Sequence, residues 1–343
     1  MDLWTRASSS KTRKEGQLNM EYSKEMFAPL SEVQKNEEVF MRPSLTYWQD
    51  AWRRFKKNMP AMIAGVVLVL IVLLAIFGPM LSPYTYDQQV RSDRNQFPSS
   101  EHWFGTDKLG RDLYVRTLYG ARISLSIGLV ASLINLTIGV LYGGLSGYLG
   151  GKADNIMMRI VDILYAVPLL LYVIMLQVVL EQPIKNLFQT SKFFGLFKAL
   201  GPELILIYIV LGSVYWVGTA RMVRGQVLAI KNQEFVLAAK AQGAGTMRII
   251  LRHLTPNAIG QIIVMTMMSI PNAIFTESFL SFIGIGVSAP MASWGSLASD
   301  AYKALQSFPY LLFYPAGAIC ITVLAFNILG DGLRDALDPR MRK

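Results

Sequence analysis

The chain contains 343 residues, of which 52% are hydrophobic and only 16% are charged, and it carries a formal net charge of +10. Because soluble domains average about 25% charged residues, this composition indicates a membrane protein. Lys and Arg accumulate in the cytoplasmic loops of membrane proteins, so the positive charge does not point to a nucleic-acid partner. A single cysteine, Cys320, excludes an internal disulfide, and two histidines, His102 and His253, are too few for the usual zinc site. We therefore expect no metal ion in this chain.

The chain begins with a polar stretch, residues 1–59, that mixes acidic and basic side chains and lacks the apolar run of a signal peptide. We interpret it as a partly ordered tail. Six apolar segments follow, each near the roughly 20 residues that cross a bilayer. The sequence therefore predicts an all-α integral membrane protein with six transmembrane helices, which lie at about 61–81, 123–149, 160–180, 204–220, 258–285 and 305–329.

The distribution of basic residues predicts the orientation of these helices. Arg53, Arg54, Lys56 and Lys57 stand directly before the first span, and basic residues favour the cytoplasmic side. Both termini are then cytoplasmic. The loop that follows the first span is too long for a simple turn, and we expect it to fold as short helices or a small cap. The chain then divides into a cytoplasmic tail (1–59), a first transmembrane helix (60–82), an extracytoplasmic loop (83–121), a transmembrane domain (122–331) with a cytoplasmic loop (221–257), and a cytoplasmic C-terminal tail (332–343).

The sequence contains no complete signature for catalysis or nucleotide binding. Gly151-Lys152 is the nearest approach to a phosphate-binding loop, but Ala153 stands where Ser or Thr is required and Ser146 where an earlier glycine is required. Neither histidine lies in the context of a catalytic triad or a zinc protease. We therefore expect the chain to be no enzyme and to bind no cofactor, so that any ATP and Mg²⁺ would be bound by partner subunits.

The cytoplasmic loop carries the most informative pattern. Good helix formers run over residues 233–242, Gly243 interrupts them, and Pro256 opens the next span. Two adjacent alanines, Ala238 and Ala239, leave a shallow helix surface that another protein can approach closely. The pattern predicts a short docking helix that lies parallel to the membrane, with a plain connecting loop as the alternative.

This loop resembles the EAA loop of ABC-importer permeases, in which Glu-Ala-Ala is followed after three residues by Gly and after nine more by Ile-x-Leu-Pro. The sequence agrees with that pattern at Ala238, Ala239, Gly243 and Pro256. It departs from the pattern at Leu237, His253 and Thr255, where Glu, Ile and Leu are usual. The resemblance implies that the loop is a coupling helix that seats on an ATPase subunit through Glu234, Leu237, Ala238, Ala239, Gly243, Ala244, Arg248 and Pro256.

The resemblance extends over roughly residues 48–340. Further matching runs are EHWFGTDKLGRD at 101–112, YGARISL at 119–125, RIVDIL at 159–164, ARMVRGQ at 220–226, ESFLSFIGIG at 277–286 and GDGLRD at 330–335. In these runs the chain is similar to the second permease subunit of dipeptide, oligopeptide and nickel importers. The resemblance implies the type I ABC-importer transmembrane fold in a bacterial or archaeal cytoplasmic membrane. It also implies four kinds of partner: a sister permease, two ATPase subunits, an extracytoplasmic peptide-binding protein and membrane lipid.

Single residues within the spans suggest further roles. Glu277 lies in an apolar span, where a charge usually faces a pathway or the bundle interior. With Ser281 it is a candidate for the translocation pathway or its gate, and a hydrogen-bonded interhelical contact is the alternative. We expect Asp162 to pair with Arg159, one turn before it, and Pro168 to kink the third span.

Three glycines at four-residue spacing mark one face of the second span. Small residues at this spacing allow two membrane helices to pack closely. We therefore assign a structural packing role to Gly139, Gly143 and Gly147.

The function expected from the sequence is that of a permease subunit in an ATP-driven oligopeptide or dipeptide importer. A permease for nickel chelates or another small solute is the alternative within the family. An ion-coupled secondary transporter is the alternative from another class, and its support is the presence of two acids, Asp162 and Glu277, within predicted spans.

Overall fold

The computed structural model describes residues 46–191, 200–287 and 289–338. Within these ranges the chain is largely helical, and the only strand-like pairing is an isolated bridge between Thr106 and Asp112. A π-helical turn, Ile250–Leu254, joins two of the helices. In chain order the helices are α1 (Tyr47–Lys57), α2 (Met59–Phe77), α3 (Leu113–Leu149), α4 (Gly151–Ala166), α5 (Leu169–Thr190), α6 (Gly201–Ile230), α7 (Glu234–Ala241), α8 (Thr246–Ile249), α9 (Thr255–Phe282), α10 (Trp294–Tyr302) and α11 (Tyr310–Leu337).

Six helical segments of the described chain are long and apolar enough to cross a membrane. The segment with the highest mean hydropathy, 3.0, is the first. The predicted number of spans and the all-α class are therefore confirmed. The segments are Met59–Leu81, Leu113–Leu149, Leu169–Thr190, Gly201–Ile230, Thr246–Phe282 and Tyr310–Leu337.

The predicted position of the third span is wrong. The span is α5, which begins at Leu169, and residues 160–166 belong to the separate helix α4. Pro168 does not kink a continuous helix but stands between two helices, with ψ of 125°. Proline removes a backbone donor and disfavours helical backbone at the residue before it, and Val167 accordingly has a ψ of 127°.

The loop predicted to be extracytoplasmic is shorter than expected because α3 begins at Leu113. Its side of the helices is called outer, and the opposite side inner, after the predicted orientation. Asp112 caps this helix: its carboxylate accepts a hydrogen bond from the Val115 N–H at 2.9 Å. An acidic N-cap satisfies one of the free donors in the first turn. Residues 113–121, predicted as loop, are thus the outer end of a transmembrane helix.

The boundaries of the three segments predicted to be cytoplasmic also differ from the prediction. Because α6 continues to Ile230, Arg221 and Arg224 lie on a helix, and the inner loop begins after residue 230 rather than at 221. The last helix continues to Leu337, beyond the predicted start of the C-terminal tail at 332. The predicted N-terminal tail contains the ordered helix α1, and residues 1–45 of that tail lie outside the described residues.

Residues 82–112 form a small cap on the outer side, as predicted. Buried His102 places its Nδ1 2.8 Å from the Asp112 carboxylate. The Tyr310 hydroxyl donates to the carbonyl oxygens of Gln96 (2.8 Å) and Thr106 (2.9 Å). The cap therefore ties the outer end of α3 to the start of α11.

Helices α3 and α6 pack closely at the three glycines singled out in the sequence. A Cβ atom built on Gly143 would lie 2.3 Å from the carbonyl oxygen of Ala220, and one on Gly147 would lie 2.9 Å from that of Arg224. A Cβ on Gly139 would meet α6 at 2.7 Å. These distances leave no room for any side chain, so α3 and α6 touch through their backbones.

Candidate functional site

The inner loop begins with α7, an eight-residue helix. Its end is closed by two backbone hydrogen bonds, from Ala244 N–H to the Ala239 carbonyl (3.0 Å) and from Gly243 N–H to the Lys240 carbonyl (2.9 Å). Gly243 has a φ of +77°. This is a Schellman motif, in which the left-handed residue is usually glycine because any Cβ is strained there. The predicted short helix and its end at Gly243 are confirmed.

After α7 the chain returns to the membrane as one long helical segment. Arg248 lies on α8, a π-helical turn follows, and Pro256 is the second residue of α9. The predicted span opened near Pro256, but the helical segment begins at Thr246. Proline is tolerated within the first turn of an α-helix, so Pro256 does not interrupt the segment.

The side of α7 that faces the membrane helices is buried against α8 and the π-helical turn, and it belongs to an apolar cluster shared with three transmembrane helices. Val236 and Ala239 are buried in one apolar cluster with Val227 of α6, Val140 of α3 and Ala258 of α9. Helix α7 is thus connected to these helices through shared apolar packing. Ala239, predicted to lie on the docking surface, is buried in this cluster instead.

The outward side of α7 and the adjoining turns is exposed and partly apolar. Leu237, Met247 and Leu251 are 50%, 50% and 48% exposed, and Ala238 is exposed beside them. Leu237 and Ala238 lie on the inner loop, and Met247 and Leu251 lie on the first turns of the helical segment that follows it. An exposed apolar patch of this kind commonly marks a protein contact. Met247 and Leu251, which the sequence pattern did not reveal, belong to this surface. The remaining predicted coupling residues, Glu234, Gly243, Ala244, Arg248 and Pro256, are exposed or half-buried on the same loop.

Glu277 and Ser281 face the interior of the helix bundle. The Glu277 carboxylate is fully buried and accepts hydrogen bonds from Ser281 (2.7 Å) and from Ser124 of α3 (3.1 Å). Ser124 in turn accepts from the backbone N–H of Trp294 at 3.3 Å. A carboxylate enclosed by one chain in this way offers no surface to a transported molecule. The structure thus favours the interhelical contact over the pathway for these two residues.

Comparison with known families decides the class of this protein. The family described as the inner membrane component of binding-protein-dependent transport systems matches residues 137–343. The family described as the N-terminal TM domain of oligopeptide transport permease C matches residues 46–98. The chain belongs to this family of ABC-importer permeases.

Individual relatives are similar over most of their length. The permease is 49% identical over 320 residues to the oligopeptide transport system permease protein OppC of Bacillus subtilis, which covers 93% of this chain and 98% of the relative. It is 49% identical over 320 residues to the dipeptide transport system permease protein DppC of the same organism, over 93% and 94% of the two chains. It is 37% identical over 298 residues to the glutathione transport system permease protein GsiD of Pectobacterium atrosepticum, over 87% and 92%.

The protein is therefore a multi-pass membrane permease subunit of an ABC importer, and a transport component rather than an enzyme. A binding-protein-dependent system of this family works with ATPase subunits and a binding protein. The residues that agree with the EAA pattern lie on α7, at its end and at the start of α9: Ala238, Ala239, Gly243 and Pro256.

A buried ion pair joins the inner ends of three permease helices. Both nitrogens of one edge of the Arg224 guanidinium, Nε and Nη2, donate to the Asp154 carboxylate at 2.6 Å, and Ser146 of α3 donates to the same carboxylate at 2.5 Å. The Arg224 guanidinium holds the pKa of Asp154 below its usual range. Lys231 donates to the carbonyl of Gly147 at 2.9 Å. The inner ends of α3, α4 and α6 are thus tied together beside α7.

The predicted pair between Asp162 and Arg159 is wrong. Asp162 accepts instead from Arg221 of α6 at 2.7 Å, and the Arg221 guanidinium lies 4.4 Å from the centroid of the Tyr165 ring. The side chains of Asp162 and Arg221 are 51% and 38% exposed. Exposed pairs of this kind contribute little to stability.

The Asp154–Arg224 pair and the Asp162–Arg221 pair both join α4 to α6, so the two can be compared directly. We expect Asp154→Asn to lower the stability of the purified permease by roughly 1–2 kcal/mol, because it breaks a bidentate contact whose carboxylate is buried but whose guanidinium is partly exposed. We expect Asp162→Asn to change it by less than about 0.5 kcal/mol. Thermal unfolding in mild detergent measures both. Equal changes in unfolding temperature for the two variants would contradict the conclusion that the Asp154–Arg224 pair holds the inner ends of α4 and α6 together.

Proposed function

We propose that this permease is one of two membrane subunits of an importer for oligopeptides or dipeptides. The observation that supports this substrate class is the 49% identity, over 93% of the chain, to relatives named for oligopeptide and for dipeptide transport. The third relative described above is named for glutathione, which is itself a peptide. Transport of nickel chelates or another small solute is the alternative.

We propose that both termini and the coupling loop face the cytoplasm of a bacterial or archaeal cell. A Cβ atom on Gly260, near the start of α9, would lie 2.8 Å from the Tyr47 hydroxyl, so α1 and the coupling loop are on the same side of the membrane. That side carries Arg53, Lys56 and Lys57 before the first span, and basic residues favour the cytoplasm.

The proposed assembly adds a sister permease, two ATPase subunits and an outer peptide-binding protein. ATP and Mg²⁺ bind to the ATPase subunits, and this chain holds neither. The exposed surface of α7 and α8, including Leu237, Ala238 and Met247, seats on one ATPase. When the ATPase pair closes on ATP, α7 moves with it and pulls the inner ends of α3, α6 and α9, which converts the permease between inward-open and outward-open states.

The geometry weakens the secondary-transporter alternative. That alternative relied on Asp162 and Glu277 as intramembrane acids. Asp162 lies on α4, outside the six candidate spans, and pairs with Arg221. Glu277 is enclosed by serine hydroxyls.

We propose that the pathway surface of this chain is the opposite face of α9. Asn272, Phe275 and Phe279 are exposed on that face, and Phe275 is 60% exposed. The Tyr215 hydroxyl lies 2.7 Å from the Thr276 hydroxyl and donates to the Asn272 carbonyl at 3.1 Å. Polar groups within a span usually face a pathway or a protein neighbour rather than lipid. The amide and hydroxyl groups match the donors and acceptors of a peptide backbone.

The substrate class is tested by purification and uptake. We expect the tagged chain, taken from its native membrane in mild detergent, to bring with it a second permease and two ATPases. Proteoliposomes of this complex with its binding protein should take up a labelled dipeptide or pentapeptide only with ATP. Recovery of the chain alone, or uptake of a nickel chelate but of neither peptide, would reject the proposal.

The coupling helix is tested at Gly243, where an added Cβ atom would meet no other atom within 4 Å. We expect Gly243→Leu to reduce ATPase co-purification and peptide uptake severalfold, because Leu at positive φ costs roughly 1–2 kcal/mol and distorts the end of α7. Gly243→Asn is the matched control, since Asn tolerates this conformation. Peptide uptake at the wild-type rate by Gly243→Leu would show that this loop does not couple the permease to the ATPase.

The pathway surface is tested by cysteine labelling in a Cys320→Ser background. We expect a water-soluble thiol reagent to modify Asn272→Cys at least about tenfold faster than Ser281→Cys, because aqueous reagents reach only thiols that line water. Leu324→Cys, exposed on an apolar face of α11, controls for contact with lipid. Labelling of Asn272→Cys no faster than Leu324→Cys would place this face of α9 against lipid.

A further inference from the structure

Helix α1 is fastened along its length to transmembrane helices. At its start, the Tyr47 hydroxyl donates to the Leu337 carbonyl at 3.1 Å. In its middle, Ala51 is buried with Val264 of α9. At its end, Phe55 is buried with Ala336 of α11. The helix therefore does not project from the transmembrane domain as a free tail.

Both ends of α1 lie at the level where spans begin or end. At the C-terminal end, only Asn58 separates Lys57 from Met59, the first residue of the first span, and the Asn58 side chain caps that span by accepting from the Ala61 N–H at 3.2 Å. At the N-terminal end, Tyr47 binds the carbonyl of Leu337, the last residue of the last candidate span. Since both ends are at membrane level, α1 lies along the surface of the bilayer.

The outward side of α1 has the composition of a membrane-surface helix. Trp48 and Trp52 follow one another at helical spacing and are 54% and 55% exposed. Arg53, Lys56 and Lys57 are exposed beside them, and no acidic partner of these three is found among the described residues. The Lys56 Nζ lies 5.2 Å from the centroid of Trp52. Tryptophan prefers the level of the headgroups.

We propose that the outward side of α1 binds the phosphate groups of anionic phospholipids in the adjoining leaflet. The charge supports this occupant: Asp50, the acid of the helix, already pairs with Arg54, which leaves a run of three basic side chains. The position supports it as well, because this side stands at headgroup level. A docked ATPase is the competing occupant, because Trp48 lines one groove with Pro256, and the test below distinguishes it from lipid.

This contact has a structural consequence for transport. Because α1 is packed on α9 and α11, a lipid that holds α1 to the bilayer also holds the inner ends of those two helices. The proposal concerns the lipid and not the transported solute, so it stands or falls independently of the peptide assignment.

The test measures which lipids remain on the purified complex. The assembled transporter is incubated in mild detergent with equal amounts of phosphatidylglycerol and phosphatidylcholine, and retained lipids are counted by native mass spectrometry. We expect wild type to retain phosphatidylglycerol preferentially. A basic residue near an anionic surface contributes on the order of a fivefold preference for anionic lipid. Each of Arg53→Gln and Lys57→Gln should therefore lower the ratio of retained phosphatidylglycerol to phosphatidylcholine up to about fivefold. Single substitutions leave enough positive charge to preserve membrane orientation.

Two further variants make the outcome decisive. Arg53→Lys keeps the charge and should keep the lipid ratio. A spin label on Trp48→Cys, in the Cys320→Ser background, should collide more with oxygen than with a water-soluble nickel chelate. The proposal is overturned if the Gln variants retain lipids as wild type does, if they lose ATPase subunits at an unchanged lipid ratio, or if the spin label is as accessible to the chelate as in bulk water.

Discussion

The contact between α3 and α6 is the constraint on which the rest of the permease depends. A side chain at Gly143 or Gly147 would meet the carbonyl oxygen of Ala220 or Arg224, and one at Gly139 would meet the Thr219 side chain. Helices packed this closely cannot slide past one another without losing contacts along their whole length. They therefore act as one rigid body, and the Asp154–Arg224 pair adds α4 to that body at its inner end.

Helix α7 lies between this rigid body and α9. It is joined to α6 by the short turn at residues 231–233, and to α9 through the π-helical turn Ile250–Leu254. Helices bend preferentially at such turns. A displacement of α7 that the α3–α6 body resists would therefore appear as a change in the angle of α9, the helix whose exposed face carries Asn272 and Phe275.

Features that depend on local composition were predictable from the sequence, and features that depend on distant neighbours were not. Hydropathy predicted six spans, and Gly243 predicted the end of α7, because length and backbone conformation are local properties. The third span was misplaced because an apolar window does not show where Pro168 separates two helices. The Asp154–Arg224 pair escaped notice because its partners are 70 residues apart. The two alternatives for Glu277 could not be separated for the same reason: the serines that enclose it include one on another helix.

The outer cap has a consequence for how sequences of this family should be interpreted. The run at residues 101–112 was among the most recognisable parts of the chain, yet four of its polar side chains are buried, namely His102, Thr106, Arg111 and Asp112. These four side chains are therefore part of the packing that holds the ends of α3 and α11 together, and they offer no surface to a transported molecule. A match to this run in another chain would accordingly indicate the cap that joins these helices, not a particular solute.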